Sequence, residues 1–314
     1  MNRLIITHAN CVDGCCSCAI LKEKYKDNAT YLEVDYADAN PSYHERYEAF
    51  MHTAKAVKGG EVIMADICLP KAIVEMFLEK NNHVVIIDHH KTMKPTIDEL
   101  RNLKRNSPET KIEIHFSDDN TQSGAMLTWK YLHPNIEPPL IVKIVEDYDL
   151  WRFAFEKETK GFHAAILDGK QPKDYDKQFF IDLLRDETKV KAMIEKGKII
   201  YHDYIEMLNG YAESAEPVRL GGYSGLMVNA PMQYRSDLGD IVNKISGSYA
   251  MIWEEQTDGI IACSLRSVKG FDVKSIAEKF GGGGHTEAAA FRVENMERFL
   301  NLLHQEKKPK NRMS

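Results

Sequence analysis

Asp88-His89-His90 places a carboxylate and two imidazoles on consecutive residues. A hard divalent ion such as Mn²⁺ or Mg²⁺ takes carboxylate oxygens, and Mn²⁺ also accepts imidazole nitrogen. Adjacent histidines let one bind an ion while the other faces a substrate. Alone, the tripeptide is equally consistent with a polar strand end and a helix cap. Three other places offer matching donors. His8-Ala9-Asn10-Cys11-Val12-Asp13-Gly14 gives an imidazole and a carboxylate before an expected helix, and Gly14 permits close backbone approach. Asp66 follows the apolar run Val62-Ile63-Met64-Ala65, where it could also cap the helix that Pro70 opens. Glu146-Asp147-Tyr148-Asp149 ends an apolar helical segment. Acids there face an unfavourable dipole that a cation would offset; for Asp149, a solvated surface acid competes with that reading.

A second set of residues lies far along the chain. Gly281-Gly282-Gly283-Gly284-His285 leaves backbone N–H groups open to wrap a phosphate, with His285 as a further donor. Arg266 ends an apolar run and could clamp phosphate through two N–H groups. The bland alternatives are a flexible turn and a surface arginine.

Positioning these groups requires strands that end where the donors begin. Apolar runs predict strands over 4–7, 31–34, 61–65, 83–87 and 111–116. Helical patterns cover 14–25 and 122–132, with Ser123 near the start of the latter. Alternating strands and helices imply an α/β fold with a doubly wound, mostly parallel sheet. Ligands bind such sheets beyond the carboxyl ends of the strands, and His8, Asp66 and Asp88-His89-His90 all follow strands. A long helix over 186–211 then joins a smaller α/β C-terminal domain. That domain has strands over 225–228, 250–253 and 260–265 and helices over 238–245, 272–280 and 296–304. The expected division is a metal-binding domain over 1–180, a helical linker over 181–214, a substrate-binding domain over 215–306 and a basic tail over 307–314.

Composition narrows the function classes. The 314 residues are 43% hydrophobic and 28% charged, with a formal net charge of −6. No global basic field holds long duplex nucleic acid by its phosphates, whereas a metal supplies local positive charge for a small anion. Four of the six cysteines, Cys11, Cys15, Cys16 and Cys18, crowd near the start. No second Cys-x-x-Cys pair completes a zinc site, so they read as packing residues in a reducing compartment. With no signal-like run and no apolar stretch of about 20 residues, the expectation is a cytoplasmic protein without a membrane span.

Taken together, His8…Asp13-Gly14, Asp66, Asp88-His89-His90 and Asp147 resemble the four metal motifs of the DHH phosphoesterase superfamily. Gly281 to His285, followed by Thr286-Glu287-Ala288-Ala289-Ala290-Phe291, resembles that superfamily's DHH-associated C-terminal domain. The resemblance runs from His8 to Phe291. It implies that His8, Asp13, Asp66, His89 and Asp147 ligate two Mn²⁺ ions, with Mg²⁺ or Co²⁺ as substitutes and Asp66 as the bridge. It assigns Asp88 to orienting a histidine. His90 would contact the scissile phosphate or protonate the leaving group, while Arg266, Gly282, Gly283, Gly284 and His285 hold the substrate's far end. Two departures stand out. Cys11 replaces an aspartate of the first motif, so that a softer ion or the Asn10 carbonyl enters the ligand question. Ala290 stands where relatives often have glycine.

The superfamily includes RecJ-type exonucleases, oligoribonucleases, cyclic-dinucleotide phosphodiesterases and a pyrophosphatase branch. The glycine-rich segment suits a longer ligand than pyrophosphate. A long single strand would need more basic surface and aromatic platforms, and no added nucleic-acid-binding fold is expected after the glycine-rich domain. The expectation is therefore an enzyme, a phosphodiesterase of short oligonucleotides or linear dinucleotides. It would use two ions roughly 3.5–4 Å apart in a cleft between two domains, with a homodimer as a further possibility. The alternatives are a cyclic mono- or dinucleotide phosphodiesterase and a nucleotide-binding regulatory protein whose metal site is impaired.

Overall fold

The computed structural model describes residues 2–169, 174 and 177–307. The chain divides into two compact units, Met1–Tyr201 and His202–Ser314. Of the basic tail expected over 307–314, residues 308–314 lie outside the described ones.

The first unit holds five strands: β1 (Arg3–His8), β2 (Thr30–Val34), β3 (Glu61–Ala65), β4 (His83–Asp88) and β5 (Ile112–Phe116). Its helices are α1 (Val12–Tyr25), α2 (His44–Ala56), α3 (Lys71–Glu79), α4 (Lys94–Asn106), α5 (Gly124–Leu132), α6 (Leu140–Asp149), α7 (Lys157–Leu167) and α8 (Lys177–Arg185). The strands run parallel in the order β2-β1-β3-β4-β5. Continuous apolar strands follow from burial on both faces. Leu4, Ile6, Val62, Met64, Val84 and Ile86 face Phe50, Phe77 and Leu100 on one side. Ile5, Ile63, Val85 and Ile87 face Leu21 and Leu127 on the other.

Register is what builds the site. Thr7 pairs with Ala65, and Ala65 with Ile87. The next residue on each strand is His8, Asp66 and Asp88, so three chemistry-bearing residues stand in one row. Neighbours in such a row are about 4.8 Å apart. The row lies at the β1/β3 junction, where the strand order reverses and doubly wound folds bind ligands.

The 27-residue α9 (Glu187–Glu213) crosses the boundary between the units. The second unit contains β6 (Glu216–Leu220), β7 (Tyr223–Asn229), α10 (Arg235–Ser246), β8 (Tyr249–Glu255), β9 (Ile261–Ser267), α11 (Lys274–Glu278), β10 (Gly283–His285), β11 (Ala288–Val293) and α12 (Met296–Lys307). Its six strands form a mixed sheet, ordered β10-β11-β9-β8-β7-β6, in which only β7 and β8 pair in parallel. Part of the expected glycine loop is thus a strand: Gly283 pairs with Ala290, and His285 with Ala288. Among the described residues, no helix is long and apolar enough to cross a membrane.

Candidate metal centre

Asp66 anchors the centre. Its backbone is left-handed, with φ +60°, a conformation that costs a non-glycine residue energy unless its surroundings enforce it. The Asp66 amide donates to the carbonyl of Ile87 at 2.9 Å. A Cβ on Gly124 would come within 2.5 Å of the Asp66 Cβ, so α5 can begin beside Asp66 only with glycine there. The fully buried carboxylate turns its two oxygens to different partners. Oδ2 lies 3.6 Å from Nδ1 of His8, and Oδ1 lies 3.2 Å from Nε2 of His89. Neither His8 Nδ1 nor Asp66 Oδ2 has a hydrogen-bond partner, although both atoms are buried. Buried orphans of this kind cost about 1–3 kcal/mol each; a cation between them would satisfy both.

Two donor groups flank that carboxylate. His8, Asp66 and His90 bring ligand atoms within 4.8 Å of one another, and so do Asp13, His89 and Asp149. His89 Nε2 is 3.8 Å from Asp13 Oδ2 and 3.4 Å from Asp149 Oδ2. Among the described residues, the ion-pair partners of Asp13, Asp66 and Asp149 are histidines alone. Burial, with repulsion from Asp66 and Asp149, pushes the Asp13 carboxyl well above its usual range. Burial opposes ionisation of Asp66 too, but the adjoining His8 and His89 imidazoles outweigh it and hold its pKa low. Burial would also depress His89, yet the surrounding carboxylates raise it to about 10. The three carboxylates thus favour positive charge at the place where a divalent ion would stand. The oxygen-and-imidazole donor set fits a hard or borderline ion.

Neighbouring hydrogen bonds orient the imidazoles. His90 Nδ1 donates to Oδ1 of buried Asp88 at 2.7 Å, which leaves Nε2 as its available lone pair. Asp88 Oδ1 also accepts from the His89 amide at 2.8 Å. His89 Nδ1 donates to Oδ1 of Asn120 at 3.0 Å, turning Nε2 toward the acids. Asp13, in the first turn of α1, packs against the start of α5, accepting from Ser123 Oγ, the Gly124 amide and the Ala125 amide at 2.9, 2.7 and 3.0 Å. Favourable interaction with that helix terminus stabilises its negative charge.

One expected ligand stands apart. Asp147 lies outside both donor groups. Its carboxylate accepts from the amides of Ala154 and Phe155 at 2.7 and 3.2 Å, and from Thr159 Oγ1 at 2.5 Å. These bonds turn it to the loop after α6, whereas Asp149 lies within ligand reach of Asp13 and His89. His90, expected at the substrate, falls within ligand reach of His8 and Asp66. Cys11 belongs to neither donor group, and burial with the nearby Asp66 and Asp13 raises its thiol pKa.

Sequence reasoning missed Asn120 and Tyr36. Both follow strands, β5 and β2, so the strand-end rule that found His8 and Asp66 would have found them. The Tyr36 ring lies 5.8 Å from that of His8 and 6.3 Å from that of His90. Its hydroxyl is buried and has no hydrogen-bond partner.

In the second unit, Arg266, Gly282, Gly283, Gly284 and His285 line one groove of about 740 Å³, together with Arg235. Arg266 is held by Ser264 Oγ and the Leu265 carbonyl at 2.9 and 2.8 Å. Burial, aided by repulsion from Arg235, lowers its pKa. Among the described residues neither arginine pairs with a carboxylate, which leaves two guanidiniums for an anion.

Comparison with known proteins places these features. Residues 234–308 match the family described as the DHHA1 domain. The fold is similar to a solved structure described as the DHH domain of a member of the s1p family of ribosomal proteins, with a TM-score of 0.56 at 16% identity, covering 97% of this chain and 86% of that one. The second unit thus matches the DHHA1 domain family, and the fold is similar to that of a DHH-domain structure. The crystal structure of exonuclease RecJ bound to manganese is also similar, at TM-score 0.49 and 14% identity, covering 97% of this chain and 88% of that one. Over 298 residues the chain is 23% identical to uncharacterized protein R106 of Acanthamoeba polyphaga mimivirus; the match covers 91% of this chain but spans only 66% of that relative's length.

Proposed function

We propose that this chain is a divalent-metal-dependent phosphodiesterase that hydrolyses short oligonucleotides, including linear dinucleotides, to mononucleotides. The observation that carries the reading is the Asp66 carboxylate, whose two oxygens face two separate donor groups. Mn²⁺, as two ions, fits the mixture of three carboxylates and three imidazoles. Bound there, the ions would offset charge on the phosphate and make a water nucleophilic at neutral pH. The protein fixes that chemistry in place. Asp88 holds His90, Asn120 holds His89, and the start of α5 holds Asp13. Burial of Asp13, Asp66 and His89 keeps bulk water from screening their charges. In the second unit, the Arg235/Arg266 groove would take an anionic part of the substrate.

The test is a screen of Mn²⁺, Mg²⁺ and Co²⁺ against dinucleotides, short RNAs, cyclic dinucleotides and pyrophosphate. Mononucleotide release from linear dinucleotides with Mn²⁺ is expected, abolished by Asp66→Asn. Ring opening with no cleavage of linear substrates would redirect the reading to a cyclic phosphodiesterase. No hydrolysis under any ion would end it.

A further inference from the structure

The segment that follows Asp149 is strained and aromatic. Trp151, Phe153 and Glu156 have left-handed backbones, with φ +54°, +51° and +47°. None is a residue that favours this region, and such outliers persist only where the surroundings impose them. The surroundings here are specific. The carbonyl of Asp147 accepts from the amides of Arg152 and Phe153 at 2.9 and 3.4 Å, and its carboxylate takes the Ala154 and Phe155 amides. Arg152 Nη2 reaches the carbonyl of Thr121 at 2.5 Å, next to the Asn120 that orients His89. One buried acid and one arginine thus hold the segment against the metal centre.

The outcome is an exposed indole on a rigid mount. Trp151 is 58% exposed, whereas Trp129 is 9% exposed and Trp253 is half-buried. Its ring stands edge-on to Phe153 at 4.7 Å and 71°, and to Tyr148 at 5.4 Å and 69°. Tyr148 in turn stacks flat on buried His163, with centroids 3.4 Å apart. Exposing an indole forgoes its burial energy, and the left-handed backbone adds a further cost. Trp151 lies two positions after the candidate ligand Asp149, so the two Cα atoms are at most about 7 Å apart. That reach is comparable with the distance from a phosphate to its own base within one nucleotide. A single ring is far smaller than the roughly 800 Å² per partner of a stable protein interface, which argues against a docked protein.

We propose that Trp151 is a stacking platform for a nucleobase of the substrate, making the centre selective for short nucleotide chains over base-free phosphate chains. The inference rests on the phosphodiesterase reading above and names the group that reading leaves unspecified. Base stacking on an aromatic side chain tolerates any base, because every base has a π-face. The rigid mount means that little freedom is lost when the base arrives. Trp151 is a specificity residue, and bond cleavage stays with the donor groups around Asp66.

The test compares the full chain with its Trp151→Ala and Trp151→Phe variants, loaded with Mn²⁺. The substrates are a 5′-phosphorylated dinucleotide and its base-free sugar-phosphate counterpart. Binding of a non-hydrolysable phosphorothioate dinucleotide is measured in parallel by calorimetry. For Trp151→Ala, the preference in kcat/KM for the dinucleotide over the base-free substrate should shrink on the order of tenfold or more. The loss should sit in KM, with a matching rise in the Kd of the phosphorothioate. Trp151→Phe should restore most of both. An unchanged preference and Kd would overturn the platform while leaving the phosphodiesterase intact. An equal fall on both substrates, carried by kcat and not rescued by phenylalanine, would also overturn it and make Trp151 a support for Asp149. If the wild type hydrolyses nothing, the phosphodiesterase reading fails, and the calorimetric comparison alone still decides whether Trp151 holds a base.

Discussion

Two aspartates on one helix end carry different duties, and the difference is geometric. Asp147 and Asp149 are two positions apart on α6, so their side chains leave the helix in widely different directions. Asp147 points to the following loop, where three donors saturate it; Asp149 points to His89. Distinct phenotypes follow. Asp149→Asn should weaken Mn²⁺ binding roughly 100-fold or more with little change in the denaturation midpoint. Asp147→Asn should instead destabilise the fold by on the order of 3 kcal/mol, because the substituted amide presents N–H to donors that need an acceptor. Isothermal titration and urea unfolding separate the two, and reversed phenotypes would return Asp147 to the ligand set. The sequence showed an acidic helix end but not which acid faced which neighbour. Facing depends on where α6 packs, and that is fixed by distant residues such as Thr159 on α7. Trp151 was illegible for a related reason: its role comes from a loop whose course tertiary hydrogen bonds determine.

At the scale of elements, the sequence was most informative where burial on both faces left an unbroken apolar run. β1, β3 and β4 were readable from such runs, and the donors at their ends were readable with them. The hairpin of β10 and β11 was not, because three of its residues before the turn are Gly283, Gly284 and His285, which carry no strand preference. Packing of α6 against α7 yields a testable pH effect. Burial lowers the His163 pKa to about 3, far below its value near 6.5 in an unfolded chain. The unfolded chain therefore binds more protons between those values. Stability is full above pH 6.5 and falls as pH drops toward 3, by about 1.4 kcal/mol per pH unit. A His163→Phe variant keeps a ring against Tyr148 and should flatten this acid limb, which urea midpoints at pH 7 and pH 5 would reveal. A parallel decline in variant and wild type would assign the acid sensitivity to other groups.

Across the whole molecule, a net charge of −6 accompanies concentrated acidity at one centre. Without a cation, that centre stores repulsion among Asp13, Asp66 and Asp149, relieved in part by the proton on His89. Mn²⁺ should therefore stabilise the fold, by about 2.7 kcal/mol at a hundredfold excess over Kd. Binding displaces a proton, so affinity should rise with pH across the neutral range. Thermal unfolding with Mn²⁺ or chelator at pH 6 and pH 8 would show it, and an effect undiminished by Asp66→Asn would place the ion elsewhere.

The left-handed backbone at Asp66 bears on ancestry. Were a lineage with this fold to abandon metal chemistry, selection on the carboxylate would cease while the φ of +60° stayed locked by the strand row and by Gly124. Asparagine and glycine tolerate that backbone, whereas β-branched residues do not. Inactive descendants should therefore drift at this position toward asparagine or glycine, leaving a fossil of the lost centre in the residue types that the backbone still permits.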